Sequence, residues 1–281
     1  MGILDWLRVV VLGIVEGITE WLPVSSTGHL MILDKIWPGN AAVFTDEFVS
    51  MFNVIIQLGA ILAVLTVFFH KLNPVSSYKT EVQKKNTWRL WLKIIIAAAP
   101  AGVIGLVLDD WIDAHFFRWW VVGAMLILYG IIFIVIETLN KKDPTIIRFS
   151  GFTYKTALYV GLMQILALIP GTSRSGVTIL GAVLLGCSRY IATEFTFYLA
   201  IPVMAGASVL KLFKYVFIKH ISISGLQFAV LFVAAAIAYG VSLFVIRIML
   251  NYVKRHDFKA FGYYRIGLGV LVLVLFGLIL R

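Results

Sequence analysis

The sequence predicts an all-α polytopic membrane protein with about six transmembrane helices, two re-entrant helix hairpins and an inverted-topology repeat. Three observations predict it. The 281-residue chain is 61% hydrophobic and only 14% charged, with mean hydropathy +0.96; a soluble domain would need more polar surface. Several apolar runs reach the roughly 20 residues that cross the hydrocarbon layer. Two more apolar regions are broken by Pro, Ser and Gly in a similar order.

Uninterrupted runs at about 47–70, 90–108, 119–139, 194–217, 226–250 and 263–280 read as spanning helices. The broken regions are 3–33 and 156–187. Each has a helix-length run, a turn, and a second run too short to span. Such pairs read as re-entrant hairpins, whose non-helical backbone enters the membrane because protein or a cavity surrounds it. Glu16 and Glu20 interrupt the first run and no small-residue cleavage site follows, so the N-terminus is expected to be retained rather than cleaved as a signal peptide. Cys187, the only cysteine, reads as a small core residue.

The formal charge of +10 lies mainly in loops. Basic residues cluster in 71–89 (Lys71, Lys79, Lys84, Lys85, Arg89), 140–155 (Lys141, Lys142, Arg148, Lys155) and 251–261 (Lys254, Arg255, Lys259). Opposite them lie "DDWIDAHFFR" at 109–118 and the nearly neutral 34–46 and 218–225. Positive loops mark the cytoplasmic side, so no nucleic acid is needed to explain the charge. Both termini are then extracytoplasmic in a plasma membrane.

Polar positions of the first half recur in the second. Gly13 matches Gly161, Glu16 matches Gln164, Ser25 matches Ser173, Thr27 matches Ser175, and Gly28 matches Gly176. The chain is expected to be a single membrane domain with repeats over about 1–139 and 153–281, joined by a cytoplasmic linker at about 140–152. Three spans per repeat invert the second relative to the first, so the two broken hairpins can meet near the midplane, as in many transporters. Gly59-Ala60 and Gly206-Ala207 allow close helix contact, within a protomer or between protomers, which leaves a homodimer open.

The first hairpin contains "VEGITEWLPVSSTGHL". Glu16 and Glu20, four residues apart, share a helix face. Buried carboxylates need a partner, a proton or a metal, and two oxygen ligands on one face suit Mg²⁺ or Ca²⁺. Ser26 and His29 lie within reach of each other on one helical turn, as an activated nucleophile and its base would. The second hairpin contains "PGTSRSGVT". Gly171 and Gly176 free the backbone to turn, and Thr172, Ser173, Ser175 and Thr178 offer hydroxyls. Arg174 supplies a planar fork of donors that fits phosphate oxygens, next to a helix N-terminus that favours anions. An ion pair to Glu16 or Glu20 would account for the arginine but not for the hydroxyls and glycines. Together the parts suit phosphoryl transfer, which is mostly positioning and charge neutralisation.

Those two motifs, with "SRYIATEFTFYLAIP" after them, resemble the bacterial undecaprenyl-diphosphatases, also called bacitracin-resistance proteins, over the full chain. The resemblance implies hydrolysis of undecaprenyl diphosphate to the monophosphate and inorganic phosphate, for reuse of the lipid carrier in cell-wall synthesis. It also implies a divalent cation and a site open to the extracytoplasmic side. Position by position it points to Glu16, Glu20, Ser26, His29, Ser173, Arg174 and Thr178. Type 2 phosphatidic acid phosphatases share Ser-Gly-His and Ser-Arg elements, but the histidine and aspartate they need after the arginine are missing here. The expected arrangement has Arg174, Ser173, Ser175, Thr178 and Gly171 holding the diphosphate and a cation on Glu16 and Glu20. Ser26, or else a water, attacks, with His29 as proton acceptor. The partners are the polyprenyl substrate and membrane lipid. A polyprenyl-phosphate transporter using the same central anion site is the alternative.

Overall fold

The computed structural model describes residues 1–140 and 142–279; Lys141, which the linker contains, Leu280, which ends the final apolar run, and Arg281 lie outside the described residues. Within the described residues, twelve α-helices follow one another: α1 (Ile3–Thr19), α2 (Ser26–Ile36), α3 (Asp46–Ile55), α4 (Gln57–Val67), α5 (Phe69–Leu72), α6 (Glu81–Phe116), α7 (Trp119–Leu139), α8 (Tyr154–Gln164), α9 (Arg174–Leu184), α10 (Arg189–Phe213), α11 (Gly225–Tyr252) and α12 (Lys259–Ile279). Among the described residues there is no strand, only an isolated bridge between Ile146 and Cys187. Among the described residues six helical segments are long and apolar enough to cross a membrane. Large apolar side chains such as Val107, Phe232, Phe244 and Leu278 stand on the outer surface, a distribution that suits lipid and not water.

Local sequence signals set where the helices begin. Thr80 accepts from the Gln83 N–H at 3.3 Å while Gln83 accepts from the Thr80 N–H at 2.9 Å, a reciprocal cap that starts α6 well before its apolar run. Ser224 and Gln227 do the same for α11, and Ser188 and Thr153 cap α10 and α8. Some expected boundaries therefore move. Lys84, Lys85 and Arg89 stand on α6 and not in a loop, as does the acidic "DDWIDAH" at its other end, because α6 runs for 36 residues. The run at 47–70 is divided at Ile56 and Phe68. The run at 194–217 begins at Arg189 and closes with a π-helical turn, Lys214–Ile218.

The packing crosses between the chain's halves. Helix α1 lies on α11, so tightly that a Cβ on Gly13 would sit 2.7 Å from the Ala234 carbonyl oxygen. Helix α8 lies on α6 in the same way, and a Cβ on Gly161 would sit 2.3 Å from the Ala97 oxygen. Gly59 serves a similar contact inside the protomer, with 2.0 Å left between an added Cβ and the Ala235 oxygen, whereas Gly206 has nothing within 4 Å. The segment after α7 is pinned too: Phe152 is fully buried and the Ser188 N–H donates to the Ile146 carbonyl at 2.9 Å. Burial pushes the Cys187 thiol up to about 12, which keeps it protonated and inert.

Candidate active site

Both broken hairpins turn through a serine in the left-handed region. Ser25, just before α2, has φ 71°, and Ser173, just before α9, has φ 71°. A non-glycine residue there costs about 1–3 kcal/mol and persists only where its surroundings enforce it. The two helices so started bring Ser26 and Arg174 in as their first residues. Gly171, at φ 90°, turns against α7, where any Cβ would come within 2.6 Å of the Val122 oxygen.

The turns interlock. Arg174 Nη2 donates to Glu20 Oε1 at 2.9 Å, and its Nη1 donates to the Thr196 carbonyl at 3.0 Å. The other Glu20 oxygen accepts from Ser26 Oγ at 2.9 Å. Ser175 Oγ donates to the Leu22 carbonyl in the first turn at 3.3 Å. Thr178 Oγ1 accepts from Thr196 Oγ1 at 2.9 Å and donates to the Arg174 carbonyl at 2.9 Å. Ser173 Oγ accepts from the Gly176 N–H at 3.2 Å and lies 3.3 Å from Ser175 Oγ.

One expected pairing is absent: Ser26 does not bond to His29. His29 folds back along its own helix, and Nδ1 donates to the Ser25 carbonyl at 2.8 Å. A carbonyl can only accept, so in the neutral ring Nε2 is the bare nitrogen, and it accepts from Tyr264 Oη at 2.6 Å. The carboxylate of Glu20 occupies the place beside Ser26 that sequence spacing suggested for the imidazole.

Arg265, outside both sequence motifs, also builds the site. It is fully buried and has no carboxylate within ion-pair distance among the described residues. Its guanidinium donates to the carbonyls of Pro23 at 3.2 Å, Gly171 at 3.0 Å and Thr172 at 2.9 Å, so it ties the first turn to the second. The available signal was an arginine just inside an apolar run, a costly placement that asks for buried partners.

A cavity of about 600 Å³ opens from the turns. Glu20, Ser26, Gly171, Ser173, Arg174 and Ser175 line its polar end, Ile95, Val103, Leu106, Val203 and Leu210 its walls, and Asp109 and Lys211 also border it. Asp109 and Lys211 belong to an ion-pair cluster in which Lys214 bridges Asp109 at 2.9 Å and Asp110 at 2.7 Å. Glu16, Thr178 and His29 do not line it. Several buried polar atoms around the turns have no partner, including both Glu16 oxygens, Ser25 Oγ and Arg174 Nε. Most buried polar groups are bonded, so a cluster of exceptions marks a place made for something else. Among the described residues no three His, Cys, Asp or Glu side chains gather to hold a metal, so any cation would complete its shell with other oxygens.

The profile described as bacitracin resistance protein BacA matches residues 9–271. A Lactiplantibacillus plantarum protein named undecaprenyl-diphosphatase is 54% identical over 98% of this chain and 99% of its own. Clostridioides difficile undecaprenyl-diphosphatase 1 is 55% identical over 99% and 98%, and the Streptococcus mutans undecaprenyl-diphosphatase 52% over 96% and 98%. With two interlocked turns at the head of an apolar cavity, and this likeness over nearly its whole length, the chain belongs to the bacitracin resistance protein BacA family.

Proposed function

We propose that this protein hydrolyses undecaprenyl diphosphate to undecaprenyl phosphate and inorganic phosphate, returning the lipid carrier to cell-wall synthesis. The observation that carries the reading is the meeting of Glu20, Ser26 and Arg174 at the polar end of a cavity with apolar walls. Arg174 keeps Nε free of protein partners, a donor suited to a phosphate oxygen. Ser173, Ser175 and Gly171 line the same end and Thr178 braces Arg174 from behind. The walls suit a polyprenyl chain.

Ser26 is the nucleophile in this reading. Its Oγ forms a bond to the terminal phosphorus while the bond from that phosphorus to the bridging oxygen breaks and lipid monophosphate leaves. Glu20, 2.9 Å away, accepts the hydroxyl proton. Water then cleaves the phosphoserine, releasing inorganic phosphate and restoring the hydroxyl. His29 orients the first turn through its bond to the Ser25 carbonyl. Glu16 is fully buried with both oxygens unpartnered, a donor set that fits a hard divalent cation, Mg²⁺ or Ca²⁺, shared with Glu20. Such an ion would supply neutralisation of the diphosphate's charge.

An opening to the extracytoplasmic side is supported by Asp109 bordering the cavity, far along α6 from Lys84, Lys85 and Arg89. Inverted repeats are supported by the matching Ser25 and Ser173 backbones and by the exchange in which α1 rests on α11 and α8 on α6. The transporter alternative has no observation of its own, and the relatives carry phosphatase names. The test is phosphate release from a long-chain polyprenyl diphosphate by purified protein, with and without divalent cation, beside Arg174→Ala. Metal-dependent release that the variant loses is expected; no release from folded wild-type protein would overturn the reading.

A further inference from the structure

Gln164 ends α8, just where the helix tightens into the 3₁₀ turn Ile165–Leu168. It is 1% exposed, and neither its amide nitrogen nor its amide oxygen has a hydrogen-bond partner among the described residues. Yet it lines the cavity that Glu20, Ser26, Ser173 and Arg174 line. A primary amide has two donors and an acceptor to satisfy, and leaving them unpaired in the interior is costly. Leucine would suit the adjoining wall of Ala167, Leu168 and Ile169 and would bury no polar atom. An amide kept here against that cost has work outside the protein's own hydrogen-bond network.

Charge narrows what that work is. Gln164 corresponds in the chain to Glu16. The first hairpin carries the carboxylates Glu16 and Glu20, and the second contributes Arg174 at its turn. A carboxylate at 164 would repel an anion beside Arg174, whereas a neutral amide can donate to one. We propose that Gln164 is a substrate-contacting residue whose side-chain N–H donates to an oxygen of the bound diphosphate, making the second hairpin the anion-holding side of the site. The proposal rests on the reading of this cavity as the diphosphate site.

The test compares wild type, Gln164→Leu, Gln164→Met and Gln164→Glu in detergent, with Arg174→Ala alongside. Thermal stability and the kinetics of phosphate release from a polyprenyl diphosphate are measured for each. Gln164→Leu is expected to keep or raise Tm while kcat/KM falls roughly tenfold or more, the scale of one lost hydrogen bond to a charged group. Gln164→Glu should fall further, chiefly through KM. Wild-type kinetics in Gln164→Leu, or a lower Tm with unchanged kinetics, would overturn the proposal. Gln164→Met carries the same expectations if the leucine variant does not fold. A wild type that binds the diphosphate without hydrolysing it would strike the enzymatic reading alone; weaker binding by the leucine variant would then still uphold the contact, and equal binding would refute it.

Discussion

Arg265 Nη2 donates to the Gly171 carbonyl at 3.0 Å, which fastens the last helix to the turn that presents Arg174. The same side chain reaches Pro23, so one buried cation sets the spacing of both turns. Arg265→Met should leave three carbonyls unpaired, at about 1–3 kcal/mol each. A lower Tm in detergent and a loss of activity beyond what stability explains are expected. Arg265→Lys, which keeps the charge without the fork, should recover part of the stability and little of the activity.

Arg174 and Glu20 are 12% and 8% exposed at their side chains, and removal of one partner from a buried pair costs about 3–5 kcal/mol. Arg174→Gln and Glu20→Gln should each cut phosphate release on the order of 100-fold or more. The double variant should lose far less than the two losses combined, because either substitution already breaks the pair. Additive losses in a double-mutant cycle would show that the two act independently.

Ser26 bonds to Glu20 and His29 to Tyr264, which separates two roles that adjacency in sequence had joined. Ser26→Ala should reduce turnover by on the order of 1,000-fold or more, as removal of a nucleophile does. His29→Gln should cost less than about 100-fold, the lower end for a lost general base. Tyr264→Phe should resemble it. A His29 loss as large as that of Ser26 would return the imidazole to the proton path.

The two glycines paired by the sequence should respond differently. Gly59→Ala drives a methyl to 2.0 Å from the Ala235 oxygen, so a loss of about 1–3 kcal/mol is expected from forced helix separation. Gly206→Ala meets open cavity space and should keep its Tm while shifting KM for the lipid.

The legible parts of the fold are those that hydropathy and turn residues encode. The bounds read from the sequence for Trp119–Leu139 match the helix to the residue, since charge and a Phe-Arg turn flank an apolar run whose one acid, Glu137, lies in its last turn. Helix α6 was not, because its caps lie among charged residues beyond the apolar stretch and hydropathy is silent there. Both motifs are visible as polar residues in apolar runs, and an arginine there calls for an acidic partner, which Glu20 supplies. Arg265 escaped because its partners are backbone carbonyls, which leave no complementary residue type in the sequence. The Ser26 partner was misjudged because His29 is nearer in sequence, while the bend at Ser25 brings Glu20 closer in space.

The exchange of helices between halves also bears on biogenesis. Synthesis delivers α1 first, but the surface it rests on is α11, whose Ser242 donates to the Gly17 carbonyl at 3.2 Å. Until the second half is made, the first hairpin holds two carboxylates without Arg174 beside Glu20 or α11 against α1. An unpaired charge within lipid is costly, so the hairpin is expected to take its final place only after α11 is made. The first segment made should then be among the last to be placed.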